Sequence, residues 1–189
     1  MKKALAIGAL LLVIVLVAFV SFKGKPKNNM QNNEQSLTLT SPVFEKNTRI
    51  PSKYTCDAEN VVVPLNISGV PEKAKSLALI MDDPDIPQEV KDARGIEVFD
   101  HWVVFNIPTD TVEILEGQEP DGILGSNGAG RNGYLGPCPP DREQRYFFKL
   151  FALDKNLDLP EGSSKAELEK AMKGHIIEKT ELIGLYERN

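Results

Sequence analysis

Hydrophobic and polar residues alternate in short runs along most of the chain, and turn-forming residues separate the runs. Leu37–Thr40 alternates and stops before a Ser-Pro pair, and Val61–Ser68 forms a second run rich in β-branched residues. Ser76–Met81 and Phe99–Pro108 are largely apolar, as expected of central strands that are covered on both faces. Arg145–Phe151 follows as an aromatic strand. Runs of this length and composition predict a mostly β domain.

Two segments depart from that pattern. The acidic stretch 88–97 has no clear period and is interpreted as a surface loop. Ser164 and Glu167 match a helix capping box, which predicts an amphipathic helix that pauses at Gly174. The tail 175–188 suits either a continuation of that helix or a final strand. Patterning alone predicts a β-sandwich or a partly open barrel with one or two late helices.

The N-terminal part of the 189-residue chain does not share the alternation. Residues 1–22 place a Lys-Lys pair before an apolar run that approaches the ~20 residues needed by a membrane-spanning helix. No convincing cleavage site follows, so an uncleaved transmembrane anchor is favoured over a signal segment that is removed. Residues 23–36 are polar and aperiodic, which predicts a flexible linker. The predicted domain is 37–189.

The location of this domain follows from the same segment. Lysines lie on both sides of the apolar run, so the positive-inside rule leaves its orientation open. The short basic head is similar to that of secretory anchors, which places the domain outside the cytoplasm; the alternative is secretion after cleavage. The domain contains two cysteines, Cys56 and Cys138. Outside the cytoplasm they suggest one disulfide, whereas inside it they are expected to be free thiols.

The predicted domain is acidic. Of the 22 basic and 27 acidic residues of the chain, five lysines and one glutamate precede residue 37. The domain therefore carries 17 basic and 26 acidic side chains, a net charge of −9. This charge disfavours nucleic acid as a partner, because duplex binding relies on neutralising phosphates.

Carboxylates concentrate after the strand predicted over 76–81. Asp82, Asp83 and Asp85 occupy three of four consecutive positions, and the prolines of the segment keep its backbone extended. Asp83 and Asp85 are then expected to point to one side, although a solvent-facing turn also explains the cluster. His101 begins the next predicted strand, where a carboxylate neighbour favours the protonated imidazole, a suitable partner for an anion. No regular spacing of metal ligands is present.

A glycine-rich stretch, Gly125–Gly136, precedes the aromatic strand. It lacks the Gly-Lys-Ser/Thr ending of a nucleotide-binding P-loop, and no helix follows it as in a dinucleotide fingerprint. A loop of this kind can still present backbone N–H groups to a ligand. Cys138 with His101 as its base is a conceivable catalytic pair, but a cysteine between two prolines fits a structural role better, so no catalytic residue is assigned.

Several motifs occur together and in order: Asp83-Pro84-Asp85-x-Pro87, His101-Trp102-Val103-Val104, and Gly136-Pro137-Cys138-Pro139-Pro140 followed by Arg145-Tyr146-x-Phe148. Their combination resembles the phosphatidylethanolamine-binding protein family, and within it the prokaryotic branch described as Raf kinase inhibitor-like. The resemblance implies a β-sandwich with one or two C-terminal helices and a small pocket for phosphate-like anions. It implies these ligand-binding residues: Asp83, Asp85, His101, Tyr134, Gly136, Cys138, Pro140, Gln144 and Tyr146.

Two further expectations come from the resemblance. Cys56 and Cys138 should lie close enough to pair, since both fall in segments that the family places near the pocket. At Gln144 the chain departs from the family, whose pattern usually has a histidine there. A glutamine donates hydrogen bonds to an anion but carries no charge, so weaker and less pH-sensitive anion binding is expected.

The family is best known as a binding and inhibitory module, which implies a protein that is not an enzyme and needs no metal or cofactor. The expected function is a membrane-anchored, extracytoplasmic module. It would hold a small anionic ligand, such as a phosphoryl head group, and modulate a partner such as a kinase or a protease. The alternative is a serine protease inhibitor that acts through a surface loop.

Overall fold

Two β-sheets form the framework of the described part of the chain. The structure, a computed structural model, describes residues 36–188, so the predicted anchor and nearly all of the predicted linker lie outside the described residues. The strands of the described part are β1 Thr38–Thr40, β2 Thr48–Arg49, β3 Leu65–Ser68, β4 Ser76–Asp83, β5 Phe99–Ile107, β6 Glu113–Ile114, β7 Ile123–Leu124, β8 Gln144–Leu153 and β9 Ile176–Tyr186. One sheet has the order β1-β3-β6 and the other the order β2-β9-β8-β4-β5-β7. The sheets stay open, and the predicted mostly β sandwich is confirmed.

The central strand β4 explains where the core lies. It pairs with β5 on one side and β8 on the other, and all eight of its residues are buried. Leu77, Leu79 and Met81 belong to the core shared with the small sheet. Ala78 and Ile80 belong to a second cluster on the opposite face. The continuous apolar stretch in the sequence therefore reflects a strand with both faces covered.

Helix α2, Lys165–Met172, covers that second face. It begins at the predicted capping box: Glu167 N donates to Ser164 Oγ (3.3 Å), and Ser164 N donates to the Glu167 carboxylate (2.8 Å). Leu168 and Met172 pack onto the sheet. The tail after α2 is the long strand β9 rather than more helix. No helix within residues 36–188 has the length and apolar character needed to span a membrane.

The prediction of a loop over 88–97 is wrong, because residues Gln88–Arg94 form helix α1. The helix follows Pro87 and ends at Gly95, which adopts the left-handed conformation with φ 65°. None of its residues is buried, so no apolar period marks it in the sequence. The flanking proline and glycine are the available signal, since they are the residues that favour helix starts and stops.

Candidate functional site

A cavity of about 350 Å³ lies beside the end of β4. Its polar lining comes from three neighbouring strands: Asp83 ends β4, His101 lies near the start of β5, and Gln144 and Tyr146 begin β8. Because β4 pairs with both β5 and β8, the sheet itself brings these side chains together. We call the part of the cavity formed by these four residues the floor.

A β-bulge places His101 in the cavity. Two consecutive residues of β4 pair with Trp102 and Asp100, which leaves His101 as the extra residue between them. Simple alternation predicts that His101 shares a face with Val103, and this prediction is wrong. Val103 packs on the α2 side of the sheet, whereas the His101 ring contacts Tyr146 edge-on at a centroid distance of 5.1 Å.

The environment of His101 keeps its imidazole neutral. The residue is 5% exposed, and its Nδ1 lies 2.7 Å from the carbonyl oxygen of Leu135. Burial lowers the pKa of His101 to about 4, although the Leu135 carbonyl and the Asp82 carboxylate favour the charged form. The predicted protonated imidazole is therefore wrong near neutral pH. With its Nδ1–H donated to Leu135, the ring offers a ligand the lone pair of Nε2.

Asp83 also favours its uncharged form. It is 1% exposed, and its Oδ1 accepts the backbone N–H of Asp85 at 2.7 Å. Burial raises the pKa of Asp83 to about 7; the hydrogen bond from Asp85 opposes this rise, and repulsion from the carboxylates of Asp85 and Asp82 adds to it. Near neutral pH a large fraction of Asp83 therefore carries a proton that it can donate to a ligand oxygen.

Gln144 is fixed by contacts on both ends of its amide. Its Nε2 donates to the carbonyl oxygen of Asp85 at 3.2 Å, and its Oε1 accepts from the Tyr146 hydroxyl at 3.3 Å. An amide nitrogen carries two N–H groups, so one remains for a ligand. The floor thus combines donors and an acceptor, and none of its groups is a permanent cation.

Two predicted site residues, Asp85 and Tyr134, are not among the residues that line the cavity. The Asp85 carboxylate accepts two hydrogen bonds from the Arg145 guanidinium, at 2.6 and 2.7 Å, and this pairing lowers its pKa. The Tyr134 hydroxyl donates to the Tyr54 carbonyl at 2.8 Å, and its ring packs edge-on against Trp102. The structure therefore does not bring Asp85 and Asp83 to one site; Asp85 supports the floor from behind through Gln144.

The loop after Tyr134 forms one wall. Gly136, Cys138 and Pro140 line the cavity as predicted from the resemblance. Cys138 is joined by a disulfide to Cys56, which also lines the cavity, with a Cα–Cα distance of 5.4 Å. The predicted pairing is confirmed. Because its sulfur is bonded, Cys138 is not available as a nucleophile in this state.

The glycine-rich loop uses its N–H groups within the protein. The backbone N–H groups of Ala129 and Arg131 donate to Asn127 Oδ1 at 3.0 and 3.2 Å, and Gly136 N donates to Asn60 Oδ1 at 2.9 Å. A Cβ on Gly136 would collide with the Tyr54 carbonyl and with Asn60. The loop therefore contributes to the cavity through its close packing, and these amides are not a cradle for an anion.

The mouth of the cavity contains residues that the sequence patterns do not single out. Val90 and Arg94 reach it from α1, and Phe99 reaches it from the start of β5. Ile86, Pro87 and Leu135 make the mouth more apolar. Without the helix that Pro87 and Gly95 delimit, nothing in the sequence places Val90 and Arg94 there. Within residues 36–188, no cluster of three His, Cys, Asp or Glu side chains is arranged to hold a metal ion.

Comparisons with known proteins match this fold and nearly all of the described residues. The sequence profile of the family named phosphatidylethanolamine-binding protein matches residues 40–187. A UPF0098 protein of Methanothermobacter thermautotrophicus is 49% identical over 158 residues, which cover 80% of this chain and 99% of that protein. A crystal structure of a phosphatidylethanolamine-binding protein homologue from Chlamydia trachomatis gives a TM-score of 0.77 at 42% identity, over 82% of this chain and 99% of the other. The crystal structure of E. coli YbcL gives a TM-score of 0.72 at 27% identity, over 82% of this chain and 99% of YbcL.

Proposed function

Because the chain belongs to the phosphatidylethanolamine-binding protein family, we propose that its cavity binds small phosphate-like anions or phosphoryl head groups and that the protein acts as a binding module. The proposal combines the family membership with the chemistry of the floor. The more specific form of the proposal is that the module is membrane-anchored, lies outside the cytoplasm and modulates a partner protein.

The convergence of three buried polar side chains in one cavity carries this proposal. Asp83, His101 and Gln144 line the same space and are each at least nine-tenths buried. A phosphoryl group has oxygens that accept hydrogen bonds and, in its monoanion, an O–H that donates one. The Gln144 amide and protonated Asp83 can donate to the phosphoryl oxygens, and the His101 Nε2 can accept from the O–H. The apolar mouth suits the carbon substituent of a phosphate ester.

Calorimetric titration with butyl phosphate tests the proposal directly. The full-length chain, purified in a maltoside detergent, should bind one equivalent. Asp83→Ala removes a buried hydrogen-bonding partner of the ligand and should weaken binding about tenfold or more. Asp110→Ala, at an exposed position outside the cavity, is the matched control and should bind like the unaltered chain. No binding by the unaltered chain, or equal binding by both variants, contradicts the proposal.

The same variants separate the alternative function. Inhibition of a serine protease through a surface loop predicts that Asp83→Ala still inhibits although ligand binding falls.

The expectation that the protein is not an enzyme stays a prediction. Turnover of a phosphoester that is lost in a His101→Ala variant would contradict it.

The anchored, extracytoplasmic location is supported by two features of different kinds. The apolar segment in residues 1–22 is long enough for an anchor. The Cys56–Cys138 disulfide is of the type that persists in oxidising compartments. Protease added to intact cells should therefore degrade the domain and leave cytoplasmic proteins intact. Protection of the domain in intact cells, with degradation after lysis, would place it inside.

A further inference from the structure

The floor of the cavity leaves the negative charge of an anionic ligand without a cation. Gln144 is uncharged, and His101 is buried with its Nδ1–H committed to the Leu135 carbonyl. Near neutral pH a neutral imidazole and a carboxyl group do not favour an anion over an uncharged molecule of the same shape. Any such preference has to come from another residue of the lining.

We propose that Arg94, the last residue of α1, recognises the charge of the ligand and gives the cavity its preference for anions. Arg94 is the only cationic side chain among the described residues that line the cavity. This inference rests on the proposed function and names the specificity-determining residue of the same site. The ligand class that follows is a phosphate ester whose phosphoryl group contacts both the floor and the Arg94 guanidinium, with its carbon substituent against the apolar residues of the mouth.

A series of aromatic contacts connects Arg94 to the floor. The guanidinium carbon lies over the Phe99 ring, 5.5 Å from its centroid. The Phe99 ring lies 5.0 Å from the His101 ring, and all three residues line the cavity. Phe99 therefore contacts both Arg94 and His101, and it is the one aromatic side chain between the guanidinium and the floor.

The Arg94 guanidinium keeps hydrogen-bonding capacity for a ligand. Its Nη1 donates to the Gly128 carbonyl oxygen at 3.1 Å, and none of the ion pairs found within residues 36–188 includes it. By contrast, the guanidinium groups of Arg142 and Arg145 pair with the carboxylates of Asp141 and Asp85. A guanidinium carries five N–H donors, so Arg94 can bind a phosphoryl oxygen without giving up its contact with Gly128.

The glycine-rich loop holds Arg94 in this position. Gly128 N donates to the Asp100 carbonyl at 2.7 Å, which fixes the loop against the start of β5. A Cβ at Gly128 would lie only 2.8 Å from the Phe99 ring, so the glycine allows the ring to pack under the guanidinium. A side chain that is already placed loses less conformational freedom when the ligand binds.

The test compares a charged and an uncharged ligand of similar shape. Butyl phosphate and its uncharged dimethyl ester are titrated into the full-length chain in maltoside by calorimetry. Arg94→Gln removes the charge and leaves a shorter, uncharged side chain that ends in an amide donor. It should weaken butyl phosphate about tenfold, as expected for a partly exposed charge-assisted hydrogen bond, and leave the ester unchanged. Arg94→Lys should restore most of the affinity, because it restores the charge.

A matched control and three outcomes make the test decisive. Arg131→Gln changes an exposed arginine of the glycine-rich loop that does not line the cavity, and it should bind both ligands normally. If Arg94→Gln binds butyl phosphate as tightly as the unaltered chain, the inference is overturned and the proposed function stands. If Arg94→Gln weakens both ligands equally, the side chain acts only through structure, which also overturns it. If the unaltered chain binds neither ligand, both proposals fail together.

Discussion

Burial, rather than the neighbouring charges, sets the protonation of the two titratable residues on the floor. A carboxylate beside a histidine suggests an ion pair, and the sequence patterns accordingly favour a charged imidazole. In the folded protein both groups are largely shielded from solvent, so the pKa of Asp83 is raised and the pKa of His101 is lowered, chiefly by burial. Near neutral pH the His101 imidazole is therefore neutral, and a large fraction of Asp83 carries a proton.

Stability should reveal the raised pKa of Asp83. Its folded-state pKa of about 7 lies above the ordinary value of 3.8, so the folded protein holds the proton more tightly than the unfolded chain. The stability that the folded protein gains from holding this proton is therefore fully present below pH 4 and is lost as the pH rises through 7. Asp83→Asn, which does not ionise, should gain stability relative to the unaltered chain between pH 4.5 and 8, by roughly 1–3 kcal/mol.

Urea unfolding of Asp83→Asn and of the unaltered chain, each at pH 4.5 and pH 8, measures this difference in stability. The depressed pKa of His101 has the opposite effect, since its contribution is lost as the pH falls below 6.5 toward 4. His101 is present in both proteins, so its effect cancels in the comparison. Asp110→Asn, at an exposed position, should show no such dependence. A stability difference for Asp83→Asn that is constant with pH would contradict the raised pKa.

Gln144 offers a second residue-scale prediction. Its amide is uncharged at every pH, whereas a histidine in its place can gain a proton when a phosphate bound beside it offsets the cost of burying the charge. Gln144→His should therefore bind inorganic phosphate more tightly than the unaltered chain at pH 6, and its affinity should fall as the pH rises toward 8. Calorimetry at the two pH values measures this. If Gln144→His binds phosphate no better than the unaltered chain at pH 6, the expectation that Gln144 weakens anion binding is wrong.

At the scale of elements, irregular features of the sheet and its connections build the site. The bulge in β5 moves His101 from the α2 side of the sheet to the cavity, and α1 brings Arg94 to the mouth. Neither element has a periodic signature: a bulge breaks the alternation of a strand, and α1 buries no apolar face. Regular strands thus supply the framework and three of the four floor residues, and the bulge and helix α1 add His101 and Arg94.

The packing of the glycine-rich loop against β5 can be tested at Gly128. A methyl group there meets the Phe99 ring at 2.8 Å, so Gly128→Ala should destabilise the fold by about 1–3 kcal/mol, the usual cost of overpacking. Phe99→Leu removes the ring, and the double variant should recover part of that loss. Urea unfolding of both single variants and the double variant gives the coupling energy. Additive losses would show that the two residues do not press on each other.

At the scale of the whole molecule, the sequence predicts the framework better than the chemistry of the site. The continuous apolar stretch at Ser76–Met81 and the capping box at Ser164 predict a central strand and a late helix, because local patterns suffice for both. The family resemblance adds the disulfide and all four residues of the floor. The Arg145 partner of Asp85 and the neutral state of His101 depend on contacts between distant segments, which no local pattern records.

The disulfide belongs to both the framework and the site, because it lines the cavity and also connects distant parts of the chain. Cys56 and Cys138 are 82 residues apart, and closing a loop of that length is expected to raise the free energy of the unfolded chain by about 4.5 kcal/mol in the chain-entropy description. Dithiothreitol should therefore lower the free energy of unfolding by roughly 2–4 kcal/mol. It should also weaken butyl phosphate binding, since the bond pins the Cys138 wall to the segment that carries Cys56.

A double variant, Cys56→Ser with Cys138→Ser, makes the result specific. It should show the lower stability without reductant, and dithiothreitol should not change it further. The backbone hydrogen bond from Cys56 N to the Pro137 carbonyl, at 3.0 Å, does not depend on the sulfurs, so part of the wall should persist. We therefore expect reduction to weaken ligand binding without abolishing it. Binding that is unchanged by reduction would show that the loop holds its shape without the covalent link.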